Sequence, residues 1–180
     1  VERSRGLGDV YKRQIYRELT TVIPKLLSKY KEVDLCIENV CPIRKIDKHT
    51  GEFQLGNNFS YDCIELVKDL RNTLGKEYSN RLFNVFDTCH AEITHQFVSA
   101  LHNVYGEINE AEYEMHTLFK RYANTTKIVH LSITRGNGNG KGKHGQPFET
   151  FNDKQKAEYY LKELKAVSYT HLRAHETSLH

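Results

Sequence analysis

The chain lacks long apolar runs. None approaches the roughly 20 consecutive apolar residues that a membrane-spanning helix needs, so a transmembrane class is not expected. The opening residues, Val-Glu-Arg-Ser-Arg-Gly, carry no apolar stretch of the kind that marks a secretory signal. Cysteine is sparse: Cys36, Cys41, Cys63 and Cys89 show no CxxC spacing. That argues against a zinc ribbon and against a disulfide framework, and makes a reducing, cytoplasmic setting the expectation. No GxGxxG joins a strand to a helix, which argues against dinucleotide binding. No internal repeat is visible, and charge of one sign is lacking too: 26 basic residues face 23 acidic ones, for a net charge of +3. What remains is a chain of 180 residues, 38% hydrophobic and 27% charged, long enough for one globular domain with a real core.

The two ends read differently from the rest. Residues 4–14 are SRGLGDVYKRQ and residues 167–177 are VSYTHLRAHET. One codon choice for the first, reverse-complemented and read in another frame, encodes VSYTHLRAHE. Both ends are therefore consistent with the two strands of one transposase-type sequencing adapter. Residues 1–14 and 167–180 are expected to be adapter-derived and non-native, and residues 15–166 to be the natural insert, truncated at both ends. His171, His175 and His180 then drop out as ligands. Without the flanks, 21 basic residues face 20 acidic ones, a net charge of +1. Charge alone gives no argument for a nucleic-acid partner.

Within the insert, Ile15, Leu19, Val22, Ile23, Leu26, Leu27 and Tyr30 repeat at helical spacing, with Pro24 expected to kink that helix or lie in its first turn. Val33–Val40 reads as a strand with Glu38 near its end. A polar, Gly-containing loop leads to Ser60, a plausible N-cap, and Cys63, Val67, Leu70 and Leu74 then form a helical stripe stopped by Gly75. Leu82–Phe86 reads as a buried strand, followed by two helices marked by Ile93 to Val104 and by Ala111 to Tyr122. Lys127–Ser132 reads as a third strand, and a last helix carries Ala157, Tyr160, Leu161 and Leu164. Strands alternating with helices imply an α/β fold with parallel strands and right-handed crossovers.

Polar residues gather at strand ends. Glu38, Asp87, His90 and His130 offer carboxylate oxygens and imidazole nitrogens at or just past the C-terminal ends of three successive strands. Those donors suit a divalent ion, Mn or Zn first and Mg or Co after them. Each residue also has a bland alternative. Glu38 pairs readily with a Lys or Arg, Asp87 with the turn it precedes as an N-cap, and His130 with a hydrogen-bonding neighbour in a core. After the third strand, Arg135 opens a Gly-rich stretch containing Lys141, Lys143 and His144. Exposed backbone N–H groups and positive charge there would suit a phosphate, and a plain surface loop is the alternative. Arg135, Lys141 and His144 are the candidate substrate-binding residues. Cys89 lies inside the site segment without an adjacent base and is expected to be buried as a small apolar group.

Ile37-Glu-Asn-Val40, Phe86-Asp-Thr-Cys-His-Ala91, Val129-His-Leu-Ser132 and the Gly-rich stretch, in this order, resemble the xylose isomerase-like TIM barrels. That group includes sugar-phosphate isomerases and epimerases and the endonuclease IV-type AP endonucleases. The resemblance implies a partial (β/α)8 barrel over residues 15–166, where a full one has roughly 250 residues. It implies Glu38, Asp87 and His130 as metal ligands, His90 as a ligand or substrate-contacting catalytic group, and Glu38 as a catalytic base. In the endonuclease branch an Asp-x-His pair follows the third strand; Gly142 stands here where that Asp would be. In the isomerase branch an Arg shortly after the strand histidine contacts substrate, and Arg135 fits. The expected activity is metal-dependent isomerisation or epimerisation of a sugar or sugar phosphate. The alternatives are zinc-dependent cleavage of abasic DNA and non-catalytic binding of a phosphorylated ligand.

Overall fold

A parallel three-stranded sheet sits at the centre, in the order β1 (Leu35–Glu38), β4 (Leu82–Asp87), β5 (Thr126–His130). The computed structural model describes residues 2–40, 43–46, 53–55, 60–105, 110–135 and 143–167. Ahead of the sheet runs α1 (Glu2–Lys29), which begins inside the segment assigned to the adapter and continues through Pro24. Between β1 and β4 lie an antiparallel hairpin, β2 (Ile43–Ile46) with β3 (Phe53–Leu55), then α2 (Ser60–Thr73) and the short α3 (Lys76–Ser79). Between β4 and β5 lie α4 (Thr88–Tyr105), a 3-10 turn at Glu110–Glu112 and α5 (Met115–Tyr122). A second antiparallel hairpin, β6 (Ile133–Arg135) with β7 (Lys143–Gln146), precedes α6 (Phe151–Ala166).

The two hairpins fall where the sequence predicts loops. Their strands are three or four residues long, too short for alternation to declare itself. Lys141 lies outside the described residues. The expected helices are present with two differences: the one expected from Ala111 to Tyr122 is divided into the 3-10 turn and α5, which begins at Met115, and the last begins earlier than its apolar residues suggest. Thr150 Oγ1 accepts the Asp153 N–H at 3.2 Å while the Asp153 carboxylate accepts the Thr150 N–H at 2.8 Å, a reciprocal cap that starts α6 at Phe151.

Successive side chains of a strand face opposite ways. Leu82, Asn84 and Phe86 of β4 therefore share one face with their register partners Leu35, Ile37 and Val129. The helices cover this face. Ile23 and Leu27 of α1 meet Val67 and Leu70 of α2 over Leu82. Leu118, Phe119 and Tyr122 of α5 and Tyr160 and Leu164 of α6 gather over Phe86 and Val129. Phe86 stacks on Tyr122 at 4.4 Å between ring centroids and meets Phe119 edge-on at 5.1 Å. Burying one such ring contributes about 2–3 kcal/mol. Each parallel crossover moves the next strand in the same direction, β1 to β4 to β5, and both core clusters lie on the same side of the sheet. Among the described residues the sheet has three strands and no closed barrel is formed. No described helix is long and apolar enough to cross a membrane.

Candidate metal centre

The other face of the sheet carries the polar strand ends. Glu38 pairs in register with Val85, and Asp87 pairs with His130. Register partners and residues two apart on one strand share a face, so Glu38, Asp87 and His130 all emerge on the side away from the helices. Glu38 starts one two-residue step below Asp87, about 6–7 Å along the strand. Its longer side chain reaches over that step, and its Oε1 accepts a hydrogen bond from His130 Nδ1 at 3.0 Å. Asp87 Oδ2 lies 3.7 Å from the same nitrogen. One donor atom from each of Glu38, Asp87 and His130 falls within 4.8 Å of the other two.

These spacings fit an ion. With bonds of about 2.1 Å to oxygen and nitrogen, neighbouring ligand atoms sit roughly 3.0–3.4 Å apart in octahedral or tetrahedral geometry. Of the two distances to His130 Nδ1, 3.0 Å lies at the lower end of that range and 3.7 Å is about 0.3 Å above it. Nδ1 carries the hydrogen in this arrangement, because a carboxylate only accepts; a bound ion would take the place of that hydrogen. Two carboxylates and one imidazole span the preferences of Mn and Zn.

Asp87 serves two purposes, one per oxygen. Oδ1 accepts the His90 N–H at 3.0 Å, so Asp87 caps the first turn of α4. Oδ2 faces His130. The capping and the ligand readings of this residue are therefore compatible, and the cap fixes the carboxylate's orientation. Its side chain is only 8% exposed, against 36% for Glu38 and 45% for His130. A carboxylate so buried is costly unless it is well partnered.

His90 stands beside the group rather than in it. Its Nδ1–H donates to the Asn39 carbonyl at 2.6 Å, and that nitrogen is 4.0 Å from Glu38 Oε1. The helix starting at Thr88 carries His90 out of the strand line, so a position three residues past Asp87 does not converge as a strand residue would. Arg135 ends β6, and His144 lies on β7 beside Lys143, the register partner of Arg135. Two contacts tie this hairpin to the first turns of α4. The Thr134 N–H donates to Glu92 Oε2 at 3.2 Å, and the Gly145 N–H donates to Cys89 Sγ at 3.3 Å. Gly145 has φ +63°, a conformation that favours glycine and lets the backbone amide reach the buried thiol. Cys89 is fully buried, as its setting without a base suggested.

The buried polar residues that sequence reading does not single out include Asn39, Thr88 and Glu92. Asn39 and Thr88 directly follow the candidate ligands Glu38 and Asp87 respectively. A polar side chain immediately beyond a buried strand end was the available signal. Glu92 also takes the Lys156 ammonium, which fastens α4 to α6. The Tyr160 hydroxyl next to it is pushed well above the ordinary phenol range by burial, with the Glu92 charge adding to the effect. No family model matches the chain, and neither a curated protein nor a solved structure matches it.

Proposed function

We propose that residues 15–166 form part of a xylose isomerase-like TIM barrel, and that its activity is metal-dependent isomerisation or epimerisation of a sugar or sugar phosphate. The barrel reading is supported by strands added in one direction and helices packed on one face. A doubly wound sheet would reverse direction and carry helices on both faces. Barrel enzymes carry out their chemistry at the C-terminal ends of their strands, and Glu38, Asp87 and His130 stand at those ends of this sheet.

The observation that carries the functional reading is the meeting of Glu38, Asp87 and His130 at the C-terminal ends of β1, β4 and β5. These three residues would hold a divalent ion, Mn or Zn. When bound, the ion supplies a Lewis acid for a carbonyl and its neighbouring hydroxyl. Glu38 is the more exposed carboxylate, and we assign it the proton on the carbon beside the carbonyl, as general base. Asp87, held by the α4 cap, keeps its place. Arg135, on the hairpin fastened to α4, is assigned the phosphate or a substrate oxygen.

The test is an assay of the full gene product, loaded with Mn2+ or Zn2+, for aldose–ketose interconversion and ketose epimerisation, beside nicking of an abasic-site duplex. The expected result is sugar conversion that Asp87→Asn abolishes. Nicking without sugar conversion would transfer the reading to a phosphodiesterase acting on abasic DNA. Neither activity, with full metal content retained in Asp87→Asn, would remove the site assignment.

A further inference from the structure

Beyond their last backbone ladder bonds, the three ligand-bearing strands are joined by two side chains. Asn39 is fully buried directly after Glu38. Its Nδ2 donates to the Asp87 carbonyl at 3.0 Å and its Oδ1 accepts the Asp87 N–H at 2.7 Å. The side-chain amide thus satisfies both backbone polar groups of Asp87 on its β1 side, a task that the ladder would otherwise spread over two residues of a parallel neighbour. The carbonyl of the same residue takes the His90 Nδ1–H. Thr88 is fully buried directly after Asp87. Its Oγ1 accepts the Ser132 N–H at 3.0 Å and lies 2.7 Å from the Ser132 carbonyl and 3.2 Å from that of His130. Asn39 fixes the end of β1 on β4, and Thr88 fixes the end of β5 on β4.

We infer that Asn39 and Thr88 are positioning residues for the metal centre: they hold Glu38, Asp87 and His130 at coordination distance without touching the ion. This rests on the metal reading above. Three ligands on three separate strands keep their spacing only if the strand ends do not splay. Glu38 and the Asp87–His130 pair are the last register partners of their ladders, so no further register pair beyond them backs the separation. A side chain that donates and accepts at once fixes both distance and rotation of the neighbouring peptide. Packing alone would not need such specific pairing: an apolar residue of similar size could fill either position at lower desolvation cost.

The experiment is Zn2+ affinity by competition with a chromophoric chelator, together with the visible spectrum of the Co2+-loaded chain. It uses the parent, Asn39→Asp, Thr88→Val, Thr88→Ser and Asp87→Asn. Asn39→Asp keeps the acceptor and removes the donor; Thr88→Val removes the hydroxyl at nearly constant shape. Both are expected to weaken Zn2+ binding by about 10–100-fold and to shift the Co2+ bands, which report ligand geometry. Thr88→Ser is expected to restore both. Circular dichroism and the melting midpoint of each metal-free chain separate positioning from folding. Unchanged affinity and an unchanged Co2+ spectrum in Asn39→Asp and Thr88→Val, or a loss confined to the melting midpoint, would overturn the positioning role while leaving the metal reading intact. A parent that binds Zn2+ no better than Asp87→Asn would overturn the metal reading, and the positioning role with it.

Discussion

The two ends of the β1–β4–β5 sheet are built on opposite principles. At the N-terminal end, cations meet acceptors that they satisfy. Arg81 Nη1 donates to the Leu27 carbonyl at 2.9 Å and Nη2 reaches the Tyr30 and Val33 carbonyls, closing the end of α1 over the entry to β1. Arg71 donates to the Leu82 and Asn124 carbonyls at 2.7 and 3.0 Å, and Lys127 pairs with Asp34. At the C-terminal end, two carboxylates crowd one imidazole, and neutral side chains, Asn39 and Thr88, do the fastening. The first end is complete within the chain. The second gathers negative charge that a divalent cation would offset. Stability and binding are thus expected to separate along the length of the same strands.

Phe86→Ala tests what both ends share. It empties the ring site between Phe119 and Tyr122 and is expected to cost about 3–5 kcal/mol, measured by equilibrium denaturation, with metal affinity falling as the sheet loosens. Arg81→Met tests the first end alone. Three carbonyls lose their charged donor, at an expected cost of about 1–3 kcal/mol, while Zn2+ affinity of the folded chain stays within twofold of the parent. A large affinity loss in Arg81→Met would break the separation of the two ends.

Asp87→Asn tests the second end. Asparagine caps helices about as well as aspartate, so the α4 cap formed through Oδ1 is kept and the metal-free melting midpoint is expected to stay close to the parent. Zn2+ binding is expected to be lost. Saturating Zn2+, at about 100 times its dissociation constant, should then raise the parent's stability by about 2.7 kcal/mol and leave Asp87→Asn unmoved.

The smallest expected effect concerns Cys36 on β1. Burial pushes its thiol above the ordinary range, Lys127 pulls it partly back and Asp34 adds to the rise. Because the folded thiol holds its proton longer than the unfolded one, stability is expected to fall as pH rises above the ordinary thiol range, and to be unaffected below it. Cys36→Ala should flatten that part of the stability–pH curve. Below that range the protonated thiol is expected to alkylate more slowly than a small-molecule thiol, read by mass spectrometry.

The division between the ends also explains what was legible in the sequence. Apolar periodicity announces the helix-covered face: Cys63, Val67 and Leu70 at helical spacing, and Leu82 and Phe86 of the β4 run, are all buried in the structure. The grouping of Glu38, Asp87 and His130 was legible because each ends a strand, and strand order together with face parity brings them together. His90 follows a helical path instead, and strand-end reasoning does not locate it. The hairpins escaped because Ile-Arg-Lys-Ile and Phe-Gln-Leu carry almost no periodic signal, and their pairing is tertiary. Asn39 and Thr88 escaped because their work depends on the register between strands, which one sequence does not display.

The most direct measurement is a crystal of the chain soaked in Mn2+ or Zn2+, with anomalous diffraction collected at the metal edge. The account predicts one peak at about 2.0–2.3 Å from a carboxylate oxygen of Glu38, a carboxylate oxygen of Asp87 and a ring nitrogen of His130. A fully loaded crystal whose anomalous peaks all lie away from those three side chains would contradict it.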